Sequence, residues 1–362
     1  RRVAELRAAM PAKLHVHYAM KATTSGPIIT LLGTLVDGFD IASQGELGMA
    51  LDAGLRPERI SFAGPGKRDE ELAAAIAAGV TLNLESEGEA RRALTIAERT
   101  GATPRLAIRV NPDFELRGSG MKMGGGAKPF GLDAERVPAL AREVIGAGVE
   151  WRGLHIFTGS QALDAGAIIE TQANVLELAA ELSEQIGASL PHLNMGGGFG
   201  IPYFSGDQPL AIAVIGEALG ERFAALPAAL AATEFAIELG RYLVGEAGVY
   251  LTRIVERKVS HGALYLVTDG GLHHQLAASG NFGTVVRRNY PAAIASRFAA
   301  EPAEEASVVG CLCTPLDRLA DQALLPHAEA GDLVAVFCAG AYGATASPSA
   351  FLGQGPAREM LV

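Results

Sequence analysis

The 362-residue chain has little cysteine and no excess of positive charge. Its three cysteines, at positions 311, 313 and 338, are too few and too clustered for a disulfide framework, which favours a reducing compartment and predicts a cytoplasmic location. Lys and Arg number 30 against 40 Asp and Glu, which gives a net charge of −10. This acidic balance argues against binding to the phosphate backbone of nucleic acids.

A long apolar run is also missing. The longest uncharged stretch, from Leu333 to Ala357, is interrupted by glycines and by Pro348 and Pro356, so we predict a buried strand followed by a loop and no membrane span. We recognise no secretion signal at its start and expect none. A composition of 49% hydrophobic and 19% charged residues is typical of a folded globular protein.

The first two thirds of the chain alternate short apolar strands with helical segments rich in alanine, leucine and glutamate. Gly54, Gly79, Gly101 and Gly187 stand where four of these helices should end. Eight strand-then-helix units in a row predict an α/β fold, a (β/α)8 barrel. The predicted strands are Leu14–Ala22, Gly38–Ser43, Ile60–Pro65, Thr81–Ser86, Arg105–Val110, Gly153–Phe157, His192–Gly196 and Phe235–Gly240.

After Gly245 long helices give way to strand-like segments. The pattern therefore predicts two domains, a barrel over residues 1–244 and a mainly β domain over residues 245–362. The predicted strands of the second domain are Gly248–Ser260, Ala263–Thr268, Ser307–Cys313 and Leu333–Ala339. A glycine-rich loop, Asn111–Gly131, interrupts the barrel pattern and is either functional or simply flexible.

Polar side chains recur on the inward faces of the predicted barrel strands. Side chains alternate along a strand, so the apolar face of each strand packs on the helices and the other face points into the barrel. Barrel enzymes keep their active sites at the C-terminal ends of the strands, which predicts an active site there. The inward residues are Lys21, Asp40, Asn83, Glu85, Arg109, His155, Phe157 and Glu238.

A phosphate site is predicted beside these residues. The run Gly196–Gly200, which includes Gly197 and Gly198, follows the seventh strand, and glycines let backbone N–H groups approach a phosphate closely. A helix start after this run should add a favourable dipole. Ser160 after the sixth strand and Arg241 after the eighth could complete the cage of donors.

A lysine, an inward glutamate and a phosphate cage together suggest pyridoxal 5′-phosphate. Lys21 would form the Schiff base with the aldehyde of this cofactor. Glu238 would keep the pyridine nitrogen protonated, and a pyridinium partner would explain a buried carboxylate at this position. An aromatic side chain from the sixth strand would pack on the ring.

At these residues the sequence resembles the fold-type III pyridoxal-phosphate decarboxylases, which include the ornithine/arginine and diaminopimelate decarboxylases. The resemblance implies an alanine-racemase-like barrel followed by a β domain, and a homodimer with shared active sites. The motifs that carry it are Tyr18–Ala22 around Lys21, Phe39–Leu47, His155–Gln161, Gly196–Gly200, Glu238-Leu239-Gly240-Arg241 with Leu for the family's Pro, Gly310–Asp317, and Gly340–Gly343.

The resemblance also implies roles in the β domain. Cys313 would donate a proton to the carbanion left after CO2 departs, and Tyr342 would reach the phosphate, both from the partner subunit. Cys313 could instead be a small buried apolar residue. Thr314 and Asp317 are the candidate substrate contacts in the same segment.

The chain departs from the family pattern at three places. Phe157 stands where the family usually has a ring-stacking His, and His155 on the same face could take that role. Thr314 stands where the family has an acid that binds the distal amine of the substrate. The Arg-Pro substrate segment of diaminopimelate decarboxylases is replaced by Leu276–Gly283. These departures argue against ornithine, lysine and diaminopimelate as substrates.

Several alternatives remain open. The segment Leu276–Gly283 and the loop Gly118–Gly131 resemble the subgroup associated with exosortase-type exopolysaccharide systems, or its siderophore-pathway relatives. An amino-acid racemase on the same barrel is one alternative function, and a non-catalytic pyridoxal-phosphate-binding homologue is another. His273 and His274, with His155 or His261, could suggest a metal site, but no carboxylate or cysteine lies at ligand spacing, so we predict no metal.

Overall fold

The computed structural model describes residues 1–280 and 288–362, which divide into two compact units. The barrel unit comprises Arg1–Gly200 and Pro209–Gly240, and the β unit comprises Ile201–Gln208 and Arg241–Val362. The predicted domains differ from this division, because they place residues 201–208 and 241–244 in the barrel. Within the β unit Tyr203 packs on Tyr290 with ring centroids 4.6 Å apart, which explains why residues 201–208 belong there.

Eight parallel strands close into a barrel in the order β4-β3-β2-β1-β11-β10-β8-β5, with β5 paired back to β4. This confirms the predicted barrel. The strands of the barrel unit are β1 (Leu14–Ala19), β2 (Gly38–Ile41), β3 (Ile60–Phe62), β4 (Thr81–Leu84), β5 (Arg105–Asn111), β6 (Met121–Lys122), β7 (Leu132–Asp133), β8 (Glu150–Ile156), β9 (Gly159–Ser160), β10 (His192–Asn194) and β11 (Glu234–Leu239).

Helices cover the outside of the barrel. The apolar core lies between strands and helices, where Tyr18, Phe39, Phe62 and Phe235 are fully buried. Gly79, Gly101 and Gly187 end their helices in the left-handed conformation, as predicted. The helices are α1 (Arg2–Ala9), α2 (Gly26–Gly33), α3 (Gln44–Asp52), α4 (Asp69–Ala78), α5 (Glu87–Thr100), α6 (Val137–Gly146), α7 (Ala165–Ile186), α8 (Ile212–Ala224) and, in the β unit, α9 (Arg241–Val244).

The β unit contains a six-stranded sheet in the order β14-β17-β12-β13-β15-β16. Its strands are β12 (Tyr250–Ser260), β13 (Ala263–Thr268), β14 (Ala292–Ile294), β15 (Glu304–Val309), β16 (Arg318–Leu325) and β17 (Leu333–Val336). The sequence did not predict β14 and β16, and β15 ends before Gly310 rather than at Cys313. No helix in the described part of the chain is long and apolar enough to cross a membrane.

Candidate active site

Lys21 lies just beyond the C-terminal end of β1. The strand ends at Ala19, so Lys21 belongs to a single 3-10 turn, Met20–Ala22, and not to the strand as predicted. Its side chain is exposed, and its Nζ lies 5.6 Å from the ring centre of Phe157. Gly240 allows β11 to end close by, because a Cβ there would lie 3.0 Å from the Cβ of Ala22.

Glu238 on β11 is an ionised carboxylate inside the barrel. It is only 6% exposed, accepts a hydrogen bond from the Asn194 side chain at 3.1 Å, and lies 3.1 Å from His155 Nε2. Burial alone would raise the pKa of Glu238, but the positive charges of His155, Lys21 and Arg109 outweigh burial and lower it. The carboxylate is therefore ready to pair with a cationic group.

The interior around Glu238 contains a buried polar atom that awaits a partner. The His155 Nδ1 atom makes no hydrogen bond with any described residue, while its Nε2 atom faces Glu238. Buried polar atoms are normally satisfied, so this interior suits a polar ligand or water. Together with an exposed amine and an ionised carboxylate, this interior fits pyridoxal 5′-phosphate.

His155 and Phe157 occupy different places. His155 is 1% exposed and its ring reaches towards Glu238, whereas the ring of Phe157 lies near the amine of Lys21. This arrangement favours Phe157 over His155 as the ring-stacking residue, which stays a prediction. Phe157 is the aromatic side chain beside the lysine.

Asp40 and Arg109 are held by neighbouring side chains. Asp40 Oδ2 lies 3.3 Å from His17 Nδ1, and Asp40 Oδ1 lies 3.5 Å from the Asn194 amide. Arg109 donates a hydrogen bond at 3.0 Å to Glu85. Both predicted cofactor-binding residues therefore already have protein partners, which suits them to shape the site around Glu238.

The glycine run after β10 packs tightly on the barrel. A Cβ at Gly197 would lie 1.9 Å from the Glu238 carbonyl oxygen, and Gly198 has a φ of +86°, so neither position tolerates a side chain. No described residue accepts the amide hydrogens of Gly197 and Gly198, which leaves them available to an anion. Ser160, half-buried, lies on β9, which pairs with β6.

The expected helix after the glycine run is absent. The next helix, α8, begins only at Ile212, and the intervening Ile201–Gln208 belongs to the β unit. The dipole contribution predicted from a following helix is therefore wrong.

Arg241 lies in a small aromatic group within the β unit. It donates a hydrogen bond to the Tyr203 hydroxyl at 3.3 Å, and its guanidinium carbon lies 4.9 Å from the ring centre of Tyr342. The buried Nε of Arg241 has no hydrogen-bond partner among residues 1–280 and 288–362, so it can still serve a ligand. Because Tyr342 contacts Arg241 of its own chain, the prediction that the partner subunit supplies this tyrosine is wrong.

The segment with Cys313 forms an exposed loop between β15 and β16. Cys313 is exposed, which argues against a buried apolar role. Asp317 is 3% exposed and accepts hydrogen bonds from the amides of Leu272 and Leu312 at 2.6 and 2.8 Å. Its predicted role as a substrate contact is wrong, because both of its oxygens hold the loop backbone. Thr314 is half-exposed, and its hydroxyl accepts from the Leu316 amide at 3.3 Å.

Two further features of the sequence are the His273-His274 pair, considered as a metal site, and the segment Leu276–Gly283. The described residues contain no group of three or more His, Cys, Asp and Glu side chains arranged to hold a metal ion. Of the segment Leu276–Gly283, residues 281–283 lie outside the described residues. His273 is fully buried, and His274 bonds to the Tyr250 hydroxyl at 3.0 Å.

A comparison with family models matches residues 1–245 to the pyridoxal-binding domain of pyridoxal-dependent decarboxylases. The chain belongs to this family. The match covers the whole barrel with Lys21 and Glu238, and it confirms the fold-type III resemblance, the decarboxylase activity and pyridoxal phosphate as the cofactor.

Curated relatives of this decarboxylase differ in substrate. The chain is 35% identical to the L-glutamyl-(BtrI acyl-carrier protein) decarboxylase of Niallia circulans, over 99% of this chain and 85% of the relative. It is 33% identical to the diaminopimelate decarboxylase of Archaeoglobus fulgidus, over 95% and 81% of the two chains. It is 29% identical to the 2-((L-alanin-3-ylcarbamoyl)methyl)-2-hydroxybutanedioate decarboxylase of Staphylococcus aureus, over 96% and 87%.

Solved structures agree with the fold of the decarboxylase. A mutant form of diaminopimelate decarboxylase from Helicobacter pylori, complexed with L-lysine, superposes with a TM-score of 0.86 at 27% identity, and covers 98% of this chain and 86% of the other. The names of these relatives each include an amino acid or an amino-acid derivative.

Sequence reasoning missed three residues that hold the site of the decarboxylase together. Asn194 bridges Glu238 and Asp40, His17 lies against Asp40, and Tyr203 holds Arg241. The strand alternation that singled out Lys21 also places His17 on the inward face, so this residue could have been found. Tyr203 lies outside regular secondary structure, where no periodic pattern applies.

Proposed function

We propose that Lys21 holds pyridoxal phosphate covalently, that Glu238 binds its ring nitrogen, and that Gly197, Gly198 and Arg241 bind its phosphate. The exposed amine near Phe157 and the ionised Glu238 in one barrel carry this assignment. When bound, the cofactor supplies an electron sink for the electron pair left by CO2. The carboxylate of Glu238 holds the proton on the ring nitrogen that makes this sink effective.

The remaining barrel residues orient the Glu238 carboxylate and enclose the cofactor. Asn194 fixes the Glu238 carboxylate by its 3.1 Å hydrogen bond, and His155 Nε2 lies 3.1 Å from the same carboxylate. The Phe157 ring offers an apolar face next to the Lys21 amine, which suits packing against a flat ring. Ser160 and the free Arg241 Nε add hydrogen-bond donors for the phosphate, with Tyr203 and Tyr342 flanking Arg241.

A covalent bond at Lys21 can be tested directly. Borohydride reduction of the loaded protein, followed by peptide mass spectrometry, should place the cofactor on Lys21 and on no other lysine. The Lys21→Ala variant should give no adduct and no CO2 release, whereas Lys258→Ala, a change at an exposed position of β12, should behave like the unmodified protein. An adduct that survives in Lys21→Ala contradicts the assignment.

The enzyme acts as a homodimer in which Cys313 of one subunit serves the barrel of the other. The exposed Cys313 thiol suits such a contribution, with its Sγ delivering a proton to the carbon that lost CO2. Three apolar side chains of β12, Leu251, Val255 and Val259, are also more than half exposed, and a second subunit could cover them.

Mixing two inactive variants tests the shared site. Lys21→Ala and Cys313→Ala homodimers should each be nearly inactive. Random subunit exchange produces mixed dimers with one intact site of two, so activity should return to about a quarter of the unmodified level. A mixture that stays inactive, although light scattering shows that subunits exchange, rules out Cys313 from the partner.

The substrate carries an α-amino acid group whose distal part is neutral, acidic or attached to a larger scaffold. Thr314 replaces the acid that would pair with a distal amine, and a hydroxyl cannot offset the desolvation of an ammonium group. Two relatives act on such scaffolds according to their names, a glutamyl group on a carrier protein and an amide of a hydroxybutanedioate. Lysine, ornithine and diaminopimelate should therefore be poor substrates.

The Thr314 assignment has a matched pair of variants. A charge-assisted hydrogen bond contributes about 1.5–3 kcal/mol, so Thr314→Glu should raise specificity for lysine or ornithine roughly 10- to 150-fold. Thr314→Gln adds the same length without the charge and should not. A panel of amino acids and amino-acid conjugates assayed for CO2 release gives the measurement, and efficient use of free lysine by the unmodified enzyme overturns the argument.

The cellular setting stays a proposal as well. The three cysteines are free, which suits a reducing compartment, and we infer a cytoplasmic location. The likeness of residues 118–131 to the exosortase-associated subgroup points to a role in exopolysaccharide or siderophore synthesis. Loss of one of these products on deletion of the gene is the expected result, and unchanged levels of both count against this role.

A further inference from the structure

The barrel contains a second polar cavity, at the end opposite to Lys21. Its volume is about 170 Å³, and it lies where the barrel strands begin. Exposed Glu58 and Glu234 lie at its rim, so it is open to solvent. The other charged or titratable lining residues are His15, His17, Asp37, Arg59, Arg152 and His192.

The inner end of this cavity reaches the residues that surround Glu238. His17 and Asn194 line the cavity. His17 Nδ1 lies 3.3 Å from Asp40 Oδ2, and Asn194 donates hydrogen bonds to both Asp40 and Glu238. His17 and Glu238 are also direct neighbours in the register of β1 and β11. A solvent-connected imidazole therefore lies next to the carboxylate cluster of the cofactor site.

Titratable groups on the neighbouring strands face the His17 ring. Asp40 on β2, Asp37 just before it and Glu238 on β11 favour the protonated ring. The ring centroid of His192 on β10 lies 5.8 Å from that of His17, and His192 lines the same cavity. His15, which is on β1 like His17, also lines this cavity. A side chain at Gly38 would lie 2.7 Å from His17 Nε2, so glycine leaves room for the ring.

The balance of these groups favours a proton on His17 rather than on His192. Burial lowers the pKa of His17, but the three carboxylates outweigh burial and raise it above its usual value of 6.5. The pKa of His192 is lowered well below 6.5 by burial and by the positive charge of His17. A proton therefore binds to His17, the ring nearer to Glu238 and Asp40, in preference to His192.

We propose that His17 is a proton-binding site linked to the cofactor: it holds a proton while Glu238 has no ligand and releases it through the cavity when a pyridinium pairs with Glu238. The pyridinium charge neutralises Glu238, which removes one of the three carboxylates that hold the proton on His17. The coupling is electrostatic, since the Asn194 amide transfers no proton. This inference rests on the proposed role of Glu238.

The release can be measured without any catalysis. Pyridoxine 5′-phosphate has the ring nitrogen and the phosphate but no aldehyde, so the Lys21 amine does not contribute. Titration calorimetry of the cofactor-free protein in buffers of different ionisation enthalpy gives the number of protons released on binding. The pH is set where the ring nitrogen of the free ligand is already protonated. Where release is complete, affinity should rise up to about tenfold per pH unit by linkage.

Matched variants assign the proton to one residue. We expect His17→Gln, or His17→Asn if the first variant is unstable, to abolish most of the release and flatten the pH dependence of affinity. His15→Gln, on the same strand and lining the same cavity, should keep both. A ligand analogue with carbon in place of the ring nitrogen should release no proton from the unmodified protein.

Three results overturn the proposal. They are unchanged release in His17→Gln, loss of release in His15→Gln instead, and equal release with the carbon analogue. Absence of any pyridoxine 5′-phosphate binding is a different result, because it removes the proposed cofactor site itself and the linkage with it.

Discussion

Replacement of Glu238 by Gln separates the charge inside the barrel from its shape. The carboxylate is 6% exposed and accepts the Asn194 amide hydrogen at 3.1 Å, with His155 Nε2 at the same distance. Glutamine has nearly the same size, and its oxygen can still accept from Asn194 while its amide faces His155. We therefore expect the variant to fold and to lose only the negative charge.

The missing charge should affect the rate more than binding. An amide cannot hold the proton on the ring nitrogen, and removal of one preorganised electrostatic group typically lowers kcat by about 10²–10³-fold, or ~2.7–4 kcal/mol. Cofactor affinity loses only the difference between a charged and a neutral hydrogen bond, about 1 kcal/mol or roughly fivefold.

Arg241→Ala is the complementary variant. It removes a charge-assisted donor to the phosphate, which should weaken cofactor affinity by about 1.5–3 kcal/mol, or roughly 10- to 150-fold, with little effect on kcat at saturation. Equilibrium dialysis measures the affinity, and CO2 release at saturating cofactor measures kcat. The reasoning is refuted if Glu238→Gln keeps more than about a tenth of kcat, or if both variants weaken the affinity equally.

Three further changes test the scaffold. Gly197→Ala places a Cβ 1.9 Å from a backbone carbonyl of β11, so we expect a loss of at least ~1–3 kcal/mol in urea unfolding, whereas Gly146→Ala, in open space, should be neutral. Lys67→Met leaves Glu89, whose carboxylate is 2.7 Å from the lysine amine and whose side chain is 1% exposed, as an unpaired buried charge. The free energy of unfolding should fall by about 3–5 kcal/mol. Adding Glu89→Gln to this variant should restore part of that loss. Because the pKa of His17 is raised in the folded protein, the proton on His17 stabilises the cofactor-free protein fully below about pH 6.5. This stabilisation is lost as the pH rises through the pKa of the folded state, so the melting temperature should fall more above about pH 6.5 in the unmodified protein than in His17→Gln. Parallel curves of melting temperature against pH for the two proteins contradict this.

The architecture of the barrel follows from hydrophobic alternation. Each strand has one face packed on helices, and this face must be apolar, so all eight strands could be predicted. The ends of the strands could not be predicted, because the alternation of apolar and polar residues continues beyond β1 through the 3-10 turn that contains Lys21. Strand β16 escaped prediction because Gln322 has a φ of +46° and its pairing with β15 shifts register, which breaks the two-residue period.

Some contacts in the candidate site can be predicted from the sequence, and others cannot. Arg109 on β5 and Glu85 directly after β4 each follow the pair Ile108 and Leu84, so their ion pair follows from sheet register. The contact between His155 and Glu238 spans β8 and β11 with β10 between them, and only the curvature of the closed barrel brings the two side chains to 3.1 Å. A sequence can place both residues inside the barrel, but it cannot show that they meet.

This distinction also applies to His155 and Asp317. Both residues are polar, lie in family-like motifs and were expected to touch a ligand, yet each one interacts with the protein. His155 lies beside a carboxylate, and Asp317 binds two backbone amides of its own unit. Buried polar groups need partners, and a motif does not tell whether the partner is a ligand or the chain itself. The strongest evidence for a ligand site is therefore a buried donor with no protein partner, as at Arg241 Nε, rather than a conspicuous polar side chain.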